Sequence, residues 1–228
     1  MKTTDSSRNE LDGMVVNVEL TLSSIIQGVA LYFLTENARS VLSEGTWRTW
    51  PYVGAGLLII LLFWSRSLIH TLTLIRWPIE FVHNFFYIAC TLVEAVAFTR
   101  LADPFWWFAL NAVFSLFVWG LFIYDLRLIR LRRGDSAGEQ GDRLYARVTR
   151  DQWLNILFLV PAIFLFNVAS VIAIHLHPEF FLVQNGHLVL IALQGAGFLI
   201  YLVYVIRSFG SWSPLIAATR QEWFHSNG

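Results

Sequence analysis

Long apolar runs that carry no charge set the strongest limit on what this chain can fold into. The longest cover residues 105–124, 156–174 and 188–206, and a shorter run covers residues 53–64. A helix needs about 20 consecutive apolar residues to cross the hydrocarbon core of a bilayer. The chain is 56% hydrophobic and 14% charged, so it has too few polar side chains to cover a water-soluble globule. The sequence therefore predicts an all-α integral membrane protein.

The spacing of the apolar segments predicts a bundle of about six transmembrane helices. We expect these helices at roughly residues 15–35, 50–75, 78–99, 104–126, 151–175 and 187–208. A transmembrane domain at residues 15–208 is then flanked by a cytoplasmic segment at 1–14 and a cytoplasmic or interfacial segment at 209–228. Asp103 and Pro104 are typical of a helix start, Thr149–Gln152 has the pattern of a capping box, and Pro161 predicts a kink.

The distribution of arginine predicts how the bundle is oriented. Most arginines lie on the same predicted side as the N-terminus, above all in a loop at residues 126–150 between the fourth and fifth helices. Basic residues accumulate on the cytoplasmic side of membrane proteins. We therefore expect both termini in the cytoplasm and a multi-pass protein of the cell membrane, of the bacterial inner-membrane type. The loop would contact anionic lipid or dock a soluble cytoplasmic partner through Arg127, Arg130, Arg132 and Arg133.

Several common chemistries lack the residues that they need. The formal net charge of zero argues against a nucleic-acid-binding protein. Cys90 is the single cysteine, which excludes a disulfide framework or an iron–sulfur site within the chain. Lys2 is the only lysine, so the sequence has no phosphate-loop lysine and no intramembrane lysine for retinal or pyridoxal phosphate. These absences favour a protein that is not an enzyme and has no organic cofactor.

The predicted span at residues 78–99 carries polar side chains along one face. Glu80, His83, Tyr87, Thr91 and Glu94 recur at intervals of three or four residues, and this spacing puts them on the same side of a helix. A carboxylate that faces lipid costs several kcal/mol. We therefore expect this polar stripe to face protein or water.

The first and second predicted spans also carry polar side chains, and we expect these to face the same bundle interior as the polar stripe. We expect the two basic residues that lie one helical turn apart on the second span, Arg66 and His70, to be charge partners of Glu80 or Glu94. The polar ridge of the first span consists of Glu19, Ser23 and Gln27.

These groups leave three interpretations open. They hold the bundle together by ion pairs and hydrogen bonds, they line a hydrated path for cations or protons, or they bind a lipid, a quinone or a metal. The working hypothesis is an oligomeric channel or transporter for a small cation or proton, with its path between the first and third spans. Phe33 or Tyr87 would serve as an aromatic gate. A homo-oligomer is expected because so few short-looped helices can hardly enclose a wide pore alone.

Two alternatives come from other parts of the chain. The arginine-rich loop gives the first alternative, a membrane sensor, anchor or effector subunit that transports nothing and docks a soluble partner. The outer ends of the last two spans carry His177, Glu179 and His187, which are residue types that bind zinc or copper. That set gives the second alternative, a metal site and, with it, a membrane metalloprotein or enzyme.

Overall fold

The structure, a computed structural model, describes residues 2–43, 47–73, 81–132 and 139–226. These residues form helices joined by short turns, and they contain no strand. The predicted all-α architecture is therefore confirmed for the described part of the chain. The helices are α1 (Lys2–Ser43), α2 (Trp50–Thr73), α3 (Phe81–Phe98), α4 (Pro104–Arg132), α5 (Glu139–Leu154), α6 (Val160–Leu176) and α7 (His187–Ser226).

Five helical segments among the described residues are long and apolar enough to cross a membrane. They are Trp47–His70, Phe81–Phe98, Pro104–Leu131, Glu139–Leu176 and His187–Thr219. Each includes or overlaps a predicted span, which supports a membrane protein with several spanning helices. The predicted first span falls within α1, which is not among the five. The total of about six spans and the cytoplasmic position of both termini remain predictions.

The long helices pack in a closed circuit. α1 packs against α2 and α3, α3 against α4, α4 against α6, and α2 against α7. Gln194 of α7 closes the circuit, because its amide bonds to Asn167 of α6 and to Trp107 of α4. The last residue of α2, Thr73, and the first residue of α3, Phe81, mark one end of this bundle, which we call the α2–α3 end. The opposite end holds the turn between α3 and α4 and is called the α3–α4 end.

The bundle has an apolar exterior and a partly polar interior. Phe81, Leu92, Val189 and Ile200 are each more than half exposed. Residues that are almost completely buried include Asp125, Asn155, Gln152, Asn167 and Gln194. A water-soluble protein shows the reverse distribution, whereas lipid is a suitable surrounding for exposed apolar side chains and a poor one for charges.

The expected helix signals have mixed outcomes. The Asp103 side chain accepts a hydrogen bond from the backbone N–H of Trp106 (3.2 Å), and α4 begins at Pro104, so this start is confirmed. Thr149 does not begin a helix, because α5 already runs from Glu139 to Leu154. A π-helical turn at Asn155–Leu159 comes just before Pro161. A proline cannot donate the regular helical hydrogen bond, and the wider turn accommodates that loss.

The arginine-rich segment differs from the expected loop. α4 continues to Arg132 and α5 starts at Glu139, so residues 126–132 and 139–150 are helical. Leu144, Tyr145 and Val148 are buried, and they lie on one face of α5, which packs against α7. Glu139 accepts a hydrogen bond from Arg143 one turn later (2.6 Å), an arrangement that supports a helix start. Amphipathic spacing therefore outweighs the high charge of this segment.

Candidate functional site

A carboxylate inside the bundle bridges two histidines at the α2–α3 end. Asp125 of α4 has its Oδ1 at 2.8 Å from Nδ1 of His83 on α3 and its Oδ2 at 3.2 Å from Nδ1 of His70 on α2. The Asp125 side chain is 2% exposed. Three separate helices therefore place one acid and two imidazoles in direct contact, away from the apolar exterior.

A second buried charge pair lies next to this cluster. Nη2 of Arg66 donates to Oδ2 of Asp151 at 2.7 Å, and both side chains are nearly inaccessible to solvent. The hydroxyl of Tyr204 donates to Oδ1 of Asp151 at 2.5 Å. Asn155 Nδ2 donates to Asp151, and the Tyr201 hydroxyl donates to Asn155 Oδ1. Further hydrogen bonds help a buried ion pair to be tolerated, and Asp151 accepts two of them, from Tyr204 and Asn155.

The partners seen for the two basic residues do not include the expected Glu94. The other expected partner, Glu80, lies outside the described residues, so a contact with Glu80 stays a prediction. Arg66 pairs with Asp151 and His70 with Asp125, and neither acid was singled out from the sequence. Both stand near the ends of predicted spans, where a charge is ordinarily assigned to the headgroup region. The sequence does contain a pattern that indicates a buried position for Asp125. Asn111, Ser115 and Asp125 fall on one face of α4.

A chain of hydroxyl groups continues from this region between α1, α2 and α3. Ser23 Oγ lies 2.8 Å from the Tyr87 hydroxyl and 3.0 Å from Ser67 Oγ. The Tyr87 ring stacks on the His83 ring, with 6.4 Å between centroids, and on Phe63. Ser23 and Tyr87 were both expected in this path, and the structure brings them into contact.

Gln27 and Glu94 lie farther along the same helices. Both side chains are buried, at 5% and 2% exposure. Within the described residues, neither polar atom of Gln27 and neither carboxyl oxygen of Glu94 has a hydrogen-bond partner. Thr91, the other expected member of the stripe, is buried and bonds to the Tyr87 carbonyl oxygen. The interpretation of Glu94 as part of an ion pair that holds the helices together therefore finds no contact to support it.

A cavity of about 80 Å³ lies at the centre of the circuit. Its wall includes Arg66, His70, His83 and Asp125 together with apolar side chains such as Phe114. Most of the wall is apolar, but the cavity is larger than one water molecule, and ordered water is expected beside its polar side chains. Nε and Nη1 of Arg66 have no partner among the described residues, so this wall offers donors to such water.

The α3–α4 end has a separate set of polar contacts. Trp107 Nε1 donates to Gln194 Oε1 at 2.8 Å, and Gln194 Nε2 donates to Asn167 Oδ1 at 2.8 Å. Each of these groups forms a hydrogen bond with the next, and buried polar groups require such partners. This set joins α4, α6 and α7 and has the features of a structural contact.

The expected metal ligands are not assembled. His177 and Glu179 are exposed, whereas His187 is buried with its Nδ1 at 2.9 Å from the Tyr52 hydroxyl. No group of three histidine, cysteine or acidic side chains in the described ranges is placed to hold a metal ion. The physical reason is that His187 opens α7 facing the bundle. His177 and Glu179 instead lie just before and at the start of a second π-helical turn, Glu179–Val183, and both are exposed.

The structure describes some of the remaining predicted residues and not others. Arg127 and Arg130 are exposed, and Arg130 lies over the ring of Trp153 at 5.4 Å. Their role in docking stays a prediction. Phe33, one expected gate, is 37% exposed and Tyr87 is buried, so only Tyr87 faces the interior. The residues or side chains that lie outside the described part of the chain are Glu19, Glu80, Arg132 and Arg133.

Comparison of the chain with protein families, with curated proteins and with solved structures finds no match.

Proposed function

We propose that this chain is a membrane protein that moves protons through the interior of its helix bundle. The observation that carries the proposal is the contact of Asp125 with both His70 and His83 inside the bundle. Ionisable residues within membrane helices are rare and costly, and chains of acids and histidines there are characteristic of proton relays. This is the proton form of the small-cation channel or transporter predicted from the sequence.

The chemistry of the cluster suits proton exchange. An imidazole can accept a proton on one ring nitrogen and release one from the other. Asp125 holds Nδ1 of His83 and Nδ1 of His70, which fixes the orientation of both rings. Protonation of either ring is compensated by the shared carboxylate, so a proton can be held here without an uncompensated buried charge.

The hydroxyl chain extends the path toward the middle of the bundle. His83 stacks on Tyr87, and the Tyr87 hydroxyl contacts Ser23, which contacts Ser67. Two turns farther along α3, roughly 10 Å from the level of Tyr87, lies the carboxyl of Glu94. We propose that water, for which the neighbouring cavity has room, completes the path between these groups.

Protons are favoured over larger cations by the size and chemistry of the path. A hydrated metal cation is usually surrounded by six or more oxygen ligands, about 2 Å or more from the ion. The described side chains instead contact one another in series. A proton needs only such a series of donors and acceptors.

Flux through purified protein in liposomes tests the proposal. A pH-sensitive dye inside the vesicles reports proton entry under a potassium diffusion potential, and parallel vesicles report sodium and potassium uptake. We expect proton flux in the wild type and a large decrease in Tyr87→Phe, which removes a hydroxyl but keeps the stacked ring. Tyr32→Phe is the matched control, because Tyr32 is exposed on α1. A wild type that passes no protons, or passes sodium or potassium equally well, would contradict the proposal.

The path lies within one chain, so the proposal does not depend on the predicted homo-oligomer. Docking of a soluble partner through the exposed arginines remains the alternative function. A protein that transports nothing but retains a cytoplasmic partner on purification would favour that alternative.

A further inference from the structure

A groove on the outer face of α7 has the composition of a lipid-binding site. It measures about 630 Å³, and its apolar part is formed by Leu199, Ile200 and Val203. These three side chains are about half exposed or more. They lie on the same surface that the apolar exterior of the bundle presents to its surroundings.

The other part of the groove is polar and basic. Arg207, Ser208 and Ser211 line it, one to two helical turns beyond the apolar part. Arg147 of α5 reaches the same place, with its Nη1 at 3.4 Å from the Ser211 carbonyl oxygen. Both arginines are exposed, and the described residues that line the groove include no carboxylate. This end therefore carries two positive charges and two hydroxyl groups.

The order of these features along α7 matches the structure of a phospholipid. A lipid places its acyl chains toward the middle of the bilayer and its phosphate at the interface. The last apolar run ends at residue 206 and is followed at once by Arg207, so the basic end lies where headgroups are expected. Guanidinium groups bind phosphate oxygens with good geometry, and hydroxyl groups add further donors.

We infer that this groove binds one anionic phospholipid per chain, with the phosphate between Arg147 and Arg207 and an acyl chain against Ile200 and Val203. The inference is independent of the proposed proton path. It does connect the surface with the interior, because Tyr204 lines the groove while its hydroxyl bonds to Asp151. An occupied groove would therefore restrain a side chain of the Arg66–Asp151 network.

Native mass spectrometry of the protein released from nanodiscs tests this inference. The nanodiscs contain equal amounts of phosphatidylglycerol, which is anionic, and phosphatidylcholine, which is zwitterionic. We expect one phosphatidylglycerol to stay bound with a preference of about tenfold or more, since each nearby arginine adds attraction for anionic lipid. Arg147→Gln with Arg207→Gln should remove this preference, and Ser211→Trp should weaken lipid binding by filling the groove without a change in charge.

The matched control is Arg143→Gln with Arg150→Gln, which removes equal charge from exposed positions of α5 outside the groove. This control should keep the wild-type preference. Equal loss in both double variants would mean that general surface charge attracts the lipid and would overturn the inference. It would also be overturned by equal retention of the two lipids, or by displacement of phosphatidylglycerol with millimolar inorganic phosphate, which would indicate a site for free phosphate.

Discussion

Asp125 and His83 meet in the interior of the bundle, with 2.8 Å between Asp125 Oδ1 and His83 Nδ1. They belong to consecutive helices, α4 and α3, which are joined by a short turn at the opposite end of the bundle. His70 of α2 contacts the other oxygen of the same carboxylate. One acid thus connects three helices, and its removal should affect both the packing of these helices and any proton that passes between the imidazoles.

Glu94→Gln separates the transport and structural interpretations of the α3 stripe. Neither oxygen of Glu94 has a hydrogen-bond partner among the described residues, so the amide breaks no such contact. We expect the free energy of unfolding to change by less than about 1 kcal/mol, the net value of one hydrogen bond. Proton flux in liposomes should fall because an amide does not titrate. A large loss of stability with unchanged flux would identify Glu94 as a structural residue.

Arg66→Gln should destabilise the protein strongly. The change leaves the Asp151 carboxylate buried without its counter-ion, which typically costs about 3–5 kcal/mol. Arg143→Gln is the control, because Arg143 forms an exposed pair with Glu139 and such pairs contribute about 0–1 kcal/mol. Chemical unfolding in detergent measures both variants. Equal stability of the two variants would show that the buried pair does not contribute as the structure indicates.

Two glycines of α2 give opposite predictions for alanine substitution. A Cβ at Gly56 would lie 2.8 Å from Leu34 Cδ1 and 3.0 Å from Phe98 Cε1, whereas a Cβ at Gly54 meets nothing within 4 Å. Gly56→Ala should therefore destabilise the contact between α1, α2 and α3, by about 1–3 kcal/mol. Gly54→Ala should be neutral or slightly stabilising, since alanine favours a helix. Thermal unfolding of the two variants compares them, and the reverse order would contradict this packing.

Ser115→Leu tests whether water in the central cavity takes part in transport. Ser115 is buried and lines the cavity, so the larger apolar side chain reduces the space for water and removes a hydroxyl. We expect a decrease in proton flux with the protein still folded. Val113→Leu is a control on the exposed face of the same helix. If both variants conduct protons like the wild type, the path does not run through the cavity.

The α3 stripe shows what helical periodicity alone can predict. His83, Tyr87, Thr91 and Glu94 recur at helical spacing, and all four are buried in the structure. Lipid tolerates apolar side chains on any face of a helix but does not tolerate carboxylates. The polar face of a membrane helix is therefore expected to face the interior of the bundle. Side-chain direction along a single helix could therefore be deduced from the sequence.

The contacts between helices could not be deduced in this way. Arg66 and His70 were correctly expected to have acidic partners, but Asp151 and Asp125 were missed because the partner depends on which helices are neighbours. The amphipathic face of α5 was missed as well. Its apolar residues, among them Leu144 and Val148, alternate with arginines that were interpreted as a loop.

The proton flux of Asp125→Asn in liposomes is the sharpest test of proton transfer through the contact of Asp125 with His70 and His83. Asparagine keeps the shape of the side chain but cannot balance a protonated His70 or His83. Asp142→Asn, at an exposed position of α5, is the control for the same chemical change. We predict that Asp125→Asn folds, as judged by its elution and helical content, and loses most of its proton flux while Asp142→Asn retains it. A folded Asp125→Asn variant with the flux of the wild type would rule out a proton path through Asp125.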